Sequence, residues 1–147
     1  MTTRAGFVVD TSVTIKWVID EEGSDEADLL QNADMVAPAL LRIEAANVLR
    51  TIAARQTVTG PQAVDLFLLL QTAPVTIIDA DDMLERRALE LALELRHPVY
   101  DCVYLALAER TDRRLITADR RFLGALADTA HSSRAMDLAD IPKLFSG

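Results

Sequence analysis

Aromatic side chains are scarce in this chain, cysteine is nearly absent, and basic residues are outnumbered. Phe, Trp and Tyr make up 5% of the 147 residues, so Leu, Ala, Val and Ile must supply most of any core. Half of the residues are nevertheless apolar, a composition that excludes a disordered chain. The single Cys102 cannot close an internal disulfide, which agrees with a reducing cytoplasm. No apolar run approaches the roughly 20 residues of a membrane span; Leu66–Leu70 is far too short. Asp10 interrupts the only apolar N-terminal stretch, so no signal peptide is expected. Repeats and Gly/Ser linkers are lacking too, and a single domain over residues 1–147 is the expectation.

The shortage of positive charge bears directly on function. Lys and Arg total 15 against 23 Asp and Glu, a net charge of −8. Proteins that bind nucleic acid usually carry a basic face whose counterion release drives affinity. Two readings remain open. Either RNA is not the ligand, or carboxylates gather in one pocket where divalent cations reverse the local field. Such a surface also attracts a basic protein partner.

What is present is an alternation of short apolar runs and helical stretches. Gly6–Asp10 (GFVVD) reads as a buried parallel strand ending in a polar stop. Further strands are expected at Met35–Ala37, Val75–Ile78, Arg114–Thr117 and, at an edge, Ala135–Asp137. Helices are expected from Ser12 to about Ile19, from Ser24, from Pro38 through Arg55, and over Gln62–Leu70 with Gly60 and Pro61 as turn residues. Three more follow at Asp82–Arg96, with Asp82 and Glu85 set for a capping box, at Asp101–Arg110 and at Arg120–Leu126. This alternation predicts a three-layer α/β/α sandwich around a central parallel sheet. Its ligand crevice should lie beyond the carboxyl ends of the strands.

Four carboxylates are candidates for that crevice. Asp10 ends the first strand and Asp119 follows the fourth, while Asp101 sits just ahead of an apolar helix. Each has an ordinary alternative as a turn or helix cap, because Asp oxygens accept orphan backbone N–H groups. Glu44 is the sharper anomaly. Its neighbours at helical spacing are Leu40, Leu41, Val48 and Ile52, which would draw its carboxylate toward the core. Unpaired charge is costly there, so a partner or a metal is needed. Asn47, one turn on, is a candidate to hold it; the alternative is a half-buried helix or an arginine salt bridge. Four oxygen donors without a His or Cys cluster suit Mg²⁺ or Mn²⁺ better than Zn²⁺. One or two such ions can activate water and clamp both reacting oxygens of a phosphodiester.

The segments FVVDTS, IEAANVL, YDCVYLALA and LITADRRF, in this order, resemble the PIN-domain nucleases across nearly the whole chain. The compact length is similar to the VapC toxins of type II toxin–antitoxin pairs. The resemblance implies a metal-binding pocket of Asp10, Glu44, Asp101 and Asp119, with Ser12 and Thr117 as hydroxyls orienting the carboxylates or metal waters. It implies an endoribonuclease using Mg²⁺ or Mn²⁺, an RNA substrate such as tRNA or rRNA, a small VapB-like antitoxin, and a cytoplasmic homodimer.

Arg113, Arg114, Arg120 and Arg121 flank the fourth strand and are the candidates for phosphate contacts. Asp79, Asp81 and Asp82 read as caps, Cys102 as a small apolar helix residue, and Lys16 as a stem snorkelling beside a core-facing Trp17. His97 and His131 lack the sequence partners that zinc or catalysis would require. Two competing functions are weighed against the nuclease. A phosphohydrolase with Asp10 as nucleophile would leave Glu44 unexplained and lacks a second acid two residues on, where Ser12 stands. A non-catalytic interaction module would use the same pocket only to receive a basic side chain.

Overall fold

The computed structural model describes residues 6–145. β1 (Gly6–Val9) leads into α1 (Thr11–Thr14), which tightens into a 3-10 turn at Ile15–Trp17. The chain continues through α2 (Ser24–Asp28), β2 (Asp34–Pro38), α3 (Leu40–Ala54), α4 (Gly60–Leu70) and β3 (Thr76–Ile78). α5 (Asp82–Leu95), α6 (Val99–Thr111), β4 (Arg114–Thr117), α7 (Arg120–Leu126), β5 (Ala135–Asp137) and α8 (Pro142–Phe145) complete it. The five strands pair in the order β3-β2-β1-β4-β5, every pair parallel.

Val8 and Val9 on β1 and Leu115 and Ile116 on β4 are wholly buried, as expected where helices cover both faces of a parallel sheet. α6 lies across β1, β2 and β4 and carries the buried Leu105, Leu107 and Ala108, with α5 packed against it in turn. The sheet flanked by helices is the expected α/β/α sandwich.

Several element starts differ from the sequence reading, each for a local reason. Pro38 pairs with Ile78 as the last residue of β2, and α3 begins at Leu40. Gly60 and Pro61 are not turn residues but the first turn of α4. Thr59 Oγ1 accepts from Gln62 N–H at 3.1 Å, and Gln62 Oε1 accepts from Thr59 N–H at 2.8 Å. That reciprocal capping box tolerates Pro61, whose missing N–H would have no intrahelical partner there. α5 is capped by Asp81, which accepts from Leu84 N–H at 2.9 Å, in place of the expected Asp82–Glu85 box. Asp81 also receives both Arg110 guanidinium nitrogens, at 2.8 and 2.9 Å. The Arg110 bonds, then the Leu84 amide, hold its carboxyl at about 2. Between α5 and α6 the chain turns through Arg96 at φ 53°, and Pro98 caps α6, placing Asp101 inside its first turn. Trp17 does pack on the core and donates to Ala27 O at 2.8 Å, while Lys16 pairs with Glu21 at 2.9 Å.

Arg113 and Arg114 stand at the amino end of β4, whereas the crevice lies beyond its carboxyl end. Arg113 donates to Asp34 O at 3.1 Å and to Asp34 Oδ2 at 3.2 Å, tying β4 to the start of β2. Its guanidinium passes so close to Gly6 that a Cβ there would stand 2.7 Å from Nη1. Arg113 is therefore a structural tie and not the phosphate contact expected of it. Arg113→Ala should lower unfolding free energy by about 1 kcal/mol, the scale of a partly exposed charge-assisted bond. Leu107→Ala should cost about 2–5 kcal/mol, while Leu93→Ala on the outer face of α5, 71% exposed, should be near neutral. Urea unfolding of the three variants checks that order.

Candidate active site

Strand order reverses at β1, with β2 on one side and β4 on the other. In an open parallel sheet the crevice forms at that reversal, outside the carboxyl ends. Asp10 follows β1 and Asp119 follows β4, so both reach it from the sheet. α3 brings Glu44 from one side and the first turn of α6 brings Asp101 from the other. All four line a single cavity of about 460 Å³. Asp79, Asp81 and Asp82 do not border it.

Asp10 occupies the N-cap position of α1, yet its side chain makes no cap bond. Its main-chain oxygen receives Val13 and Thr14 N–H at 3.1 Å each, which leaves the carboxylate turned to other partners. Ser12 Oγ donates to Asp10 Oδ1 at 2.5 Å and accepts from Ala118 N–H at 2.8 Å. Thr117, wholly buried, also donates to Asp10, and its Oγ1 accepts from Asp119 N–H at 3.0 Å. Two hydroxyls thus hold one carboxyl and stitch α1 to the end of β4.

No cation is among the groups that set the charge of Asp10. Burial is the leading influence and pushes it up to about 7. The Ser12 and Thr117 hydroxyls oppose that rise, and the charges of Asp101 and Asp119 add to it. Desolvation of a carboxylate among like charges has this sign.

Glu44 is half-buried and sits at the margin of the α3 stripe formed by Leu41, Ala45 and Leu49, not at its centre. The Tyr104 hydroxyl donates to its Oε1, and Thr11 Oγ1 does so at 3.4 Å. Its pKa is raised, first by burial and further by Asp101, against those two hydrogen bonds. Asn47, expected as its holder, lines the cavity but is exposed; Tyr104 and Thr11 hold Glu44 instead. Tyr104 lies three residues after Asp101, one turn along the same helix face.

The capping alternative holds for Asp119 alone. Its Oδ1 accepts from Arg121 N–H at 3.0 Å and Phe122 N–H at 3.2 Å, starting α7 while the residue borders the cavity. Asp101 is bonded by His97 Nε2 at 2.7 Å. His97 therefore has a partner that the sequence reading missed, because it precedes the helix that carries Asp101. His131 has partners too, packing against Glu94 and lying 3.9 Å from Glu109. Neither histidine lines the cavity. Arg120 and Arg121 are exposed on the first turn of α7, and Arg120 lines a neighbouring cavity of about 410 Å³ with Lys16 and Glu21. Cys102 is wholly buried, with its thiol raised to about 11 by burial and then by Asp101.

The four acids share a cavity without closing a ligand shell. Among the described residues no three His, Cys, Asp or Glu stand together as a metal-holding group. Repulsion among unpaired carboxylates favours such an open arrangement. Their oxygens are donors of the kind a hard divalent cation accepts, with waters and substrate completing its coordination. Absence of His and Cys from the cavity lining speaks against zinc.

Comparisons with known proteins bear on the fold and the family. A sequence search of curated proteins finds no match. Among solved structures, PAE2754 from Pyrobaculum aerophilum superposes with a TM-score of 0.73 at 20% identity, over 97% of this chain and 91% of that one. VapC20 from Mycobacterium tuberculosis, described as a Sarcin-Ricin loop cleaving toxin, gives 0.62 at 16% identity, over 81% and 94%. The DNA-bound VapBC of Salmonella typhimurium gives 0.64 at 17% identity, over 91% and 98%. At such identities these likenesses establish the fold. The PIN-domain family model matches residues 7–125, from β1 into α7 and through all four acids. The chain belongs to the PIN-domain family.

Proposed function

We propose that this protein is a divalent-metal-dependent endoribonuclease and the toxin of a toxin–antitoxin pair. The observation that carries the reading is the convergence of Asp10, Glu44, Asp101 and Asp119, from four separate elements, on one cavity at the strand-order reversal. Family membership supports nuclease chemistry, and structural neighbours described as toxins or toxin–antitoxin complexes support the biological role.

The four carboxylates would hold the cation. When bound, it supplies Lewis-acid polarisation of a phosphodiester and lowers the pKa of water. The protein's own contribution is positional. Ser12 and Thr117 keep Asp10 turned away from the α1 backbone, Tyr104 and Thr11 fix Glu44, and Asp119 is anchored on the first turn of α7. Burial and the neighbouring acids raise the Asp10 carboxyl, which favours its protonated form and limits repulsion among the four acids.

The rim suits an unpaired strand of RNA. Ile43 and Tyr100 border the cavity at 71% and 61% exposure, presenting apolar and aromatic surface on which a splayed nucleobase can pack. With a net charge of −8, backbone attraction must come from the cation and from local arginines such as Arg120 and Arg121. Beyond the site, Val64, Leu68 and Leu69 on α4 are more than half exposed, apolar area for an antitoxin or a second copy of the chain.

Three outcomes test this reading. Asp101→Asn should abolish Mg²⁺- or Mn²⁺-supported cleavage of single-stranded RNA, and either ion should raise the wild-type melting temperature more than that of the variant. Equal cleavage with excess chelator would overturn the metal requirement.

The second outcome concerns pH. The folded pKa of Asp10 is raised, so its ionisation weakens the native state as pH rises from the unfolded value near 4 to about 7. In metal-free protein, Asp10→Asn should be as stable as wild type or more so at pH 8, by up to a few kcal/mol. The gap should narrow by pH 5. A variant less stable than wild type at pH 8 would assign Asp10 a structural role.

Third, induced expression of the isolated chain should arrest growth, and co-expression with its operon neighbour should relieve the arrest through a purifiable complex. A harmless wild-type chain that still cleaves RNA in vitro would leave the nuclease and remove the toxin.

A further inference from the structure

We propose that His97, seated on Phe122, acts as a buried brace that positions Asp101, one of the four acids that would receive the cation. The inference rests on the metal-site reading above and adds two residues outside the cavity lining. His97 Nε2 bonds Asp101 Oδ2 at 2.7 Å, and the His97 side chain is only 8% exposed. Its ring packs on Phe122, with centroids 4.9 Å apart and planes tilted by 43°. Phe122 is 1% exposed, and its own N–H donates to Asp119 Oδ1 at 3.2 Å. The hydrogen bond on one side and the α7 amide on the other meet in a single ring contact.

The backbone aims the imidazole. Arg96 takes a left-handed conformation at φ 53°, His97 N–H donates to Ala92 O at 3.1 Å, and Pro98 fixes the entry to α6. His97 therefore leaves the α5–α6 turn in a set direction, four residues ahead of the acid it bonds. Without that bond, Asp101, whose side chain is 29% exposed, could swing outward from the charges of Asp10 and Glu44, with which it interacts unfavourably. The brace opposes that movement and occupies Oδ2, leaving Oδ1 for ligation. It parallels the outer-shell partners that orient metal ligands elsewhere and whose loss weakens metal binding by about 10- to 100-fold. His97 is a positioning residue: its reach ends at Asp101.

Two substitutions separate the ring contact from the hydrogen bond. His97→Phe keeps an aromatic ring against Phe122 and deletes the donor; His97→Gln restores a donor without the ring. Mn²⁺ affinity of the RNA-free protein is read by titration calorimetry, beside the metal-free melting temperature. His97→Phe should melt within about 2 °C of wild type yet bind Mn²⁺ at least about tenfold more weakly, and His97→Gln should recover most of that loss. Folded His97→Phe protein that binds Mn²⁺ within about threefold of wild type would overturn the brace. Should His97→Phe not fold, His97→Gln decides, with wild-type-like affinity supporting the proposal and a tenfold loss opposing it. A wild-type chain that binds neither Mn²⁺ nor Mg²⁺ overturns the metal reading and the brace with it, whereas wild-type binding with an unaffected His97→Phe overturns the brace alone.

Discussion

A carboxyl group buried to 6% exposure, with hydroxyls around it and no cation to neutralise it, is the constraint from which the site's architecture follows. Asp10 lies at the end of the central strand, where the sheet's order reverses, and taking its charge out of water is costly. Ser12 and Thr117 moderate that cost, which requires α1 to start immediately after β1 and to lie against the end of β4. The tight turn into α1 and the seam between β1 and β4 are shaped around one side chain.

The remaining acids are placed so that none neutralises another. Glu44 leans on Tyr104 and Thr11, Asp101 on His97, Asp119 on backbone amides. Each is held by a neutral donor or an imidazole, and several arginines of the fold are paired elsewhere. Arg110 serves Asp81, Arg87 serves Glu109, and Arg113 serves Asp34. With no Lys or Arg among its lining residues, the cavity keeps a negative field. The stability given up there is supplied by the buried residues of β1, β2 and β4 and by α6, whose apolar residues seal the sheet.

Order and type of the main elements were legible because each strand is a short apolar run and each long helix carries its own period. Asp10 and Asp119 were legible because an acid after a parallel strand emerges at the carboxyl end, and Glu44 because its neighbours at helical spacing are apolar. Direction along a strand misled for Arg113 and Arg114: they flank β4 in sequence but stand at its far end, about 10 Å from Thr117. Rotamer-level choices were not legible at all. Nothing in the DADD run marks Asp81 rather than Asp82 as the cap of α5, and nothing separates Asn47 from Tyr104 as the holder of Glu44 until α3 and α6 are brought together. His97 was hidden because its partner becomes a neighbour only when the α5–α6 turn takes its left-handed residue.

Asp119 differs from its three companions in one respect with an evolutionary consequence. Its carboxylate both borders the cavity and caps α7, so its loss would unsettle the helix as well as the cavity. Asp10, by contrast, burdens the folded state when it is ionised. In a lineage released from selection for cleavage, drift would therefore erase the acids unequally. Asp10 would be among the first to go, favoured by the gain in stability, and Asp119 would persist as the fossil of an active site. A surviving aspartate at that position in a degenerate relative is weak testimony to activity, and an intact aspartate at the end of the first strand is strong testimony.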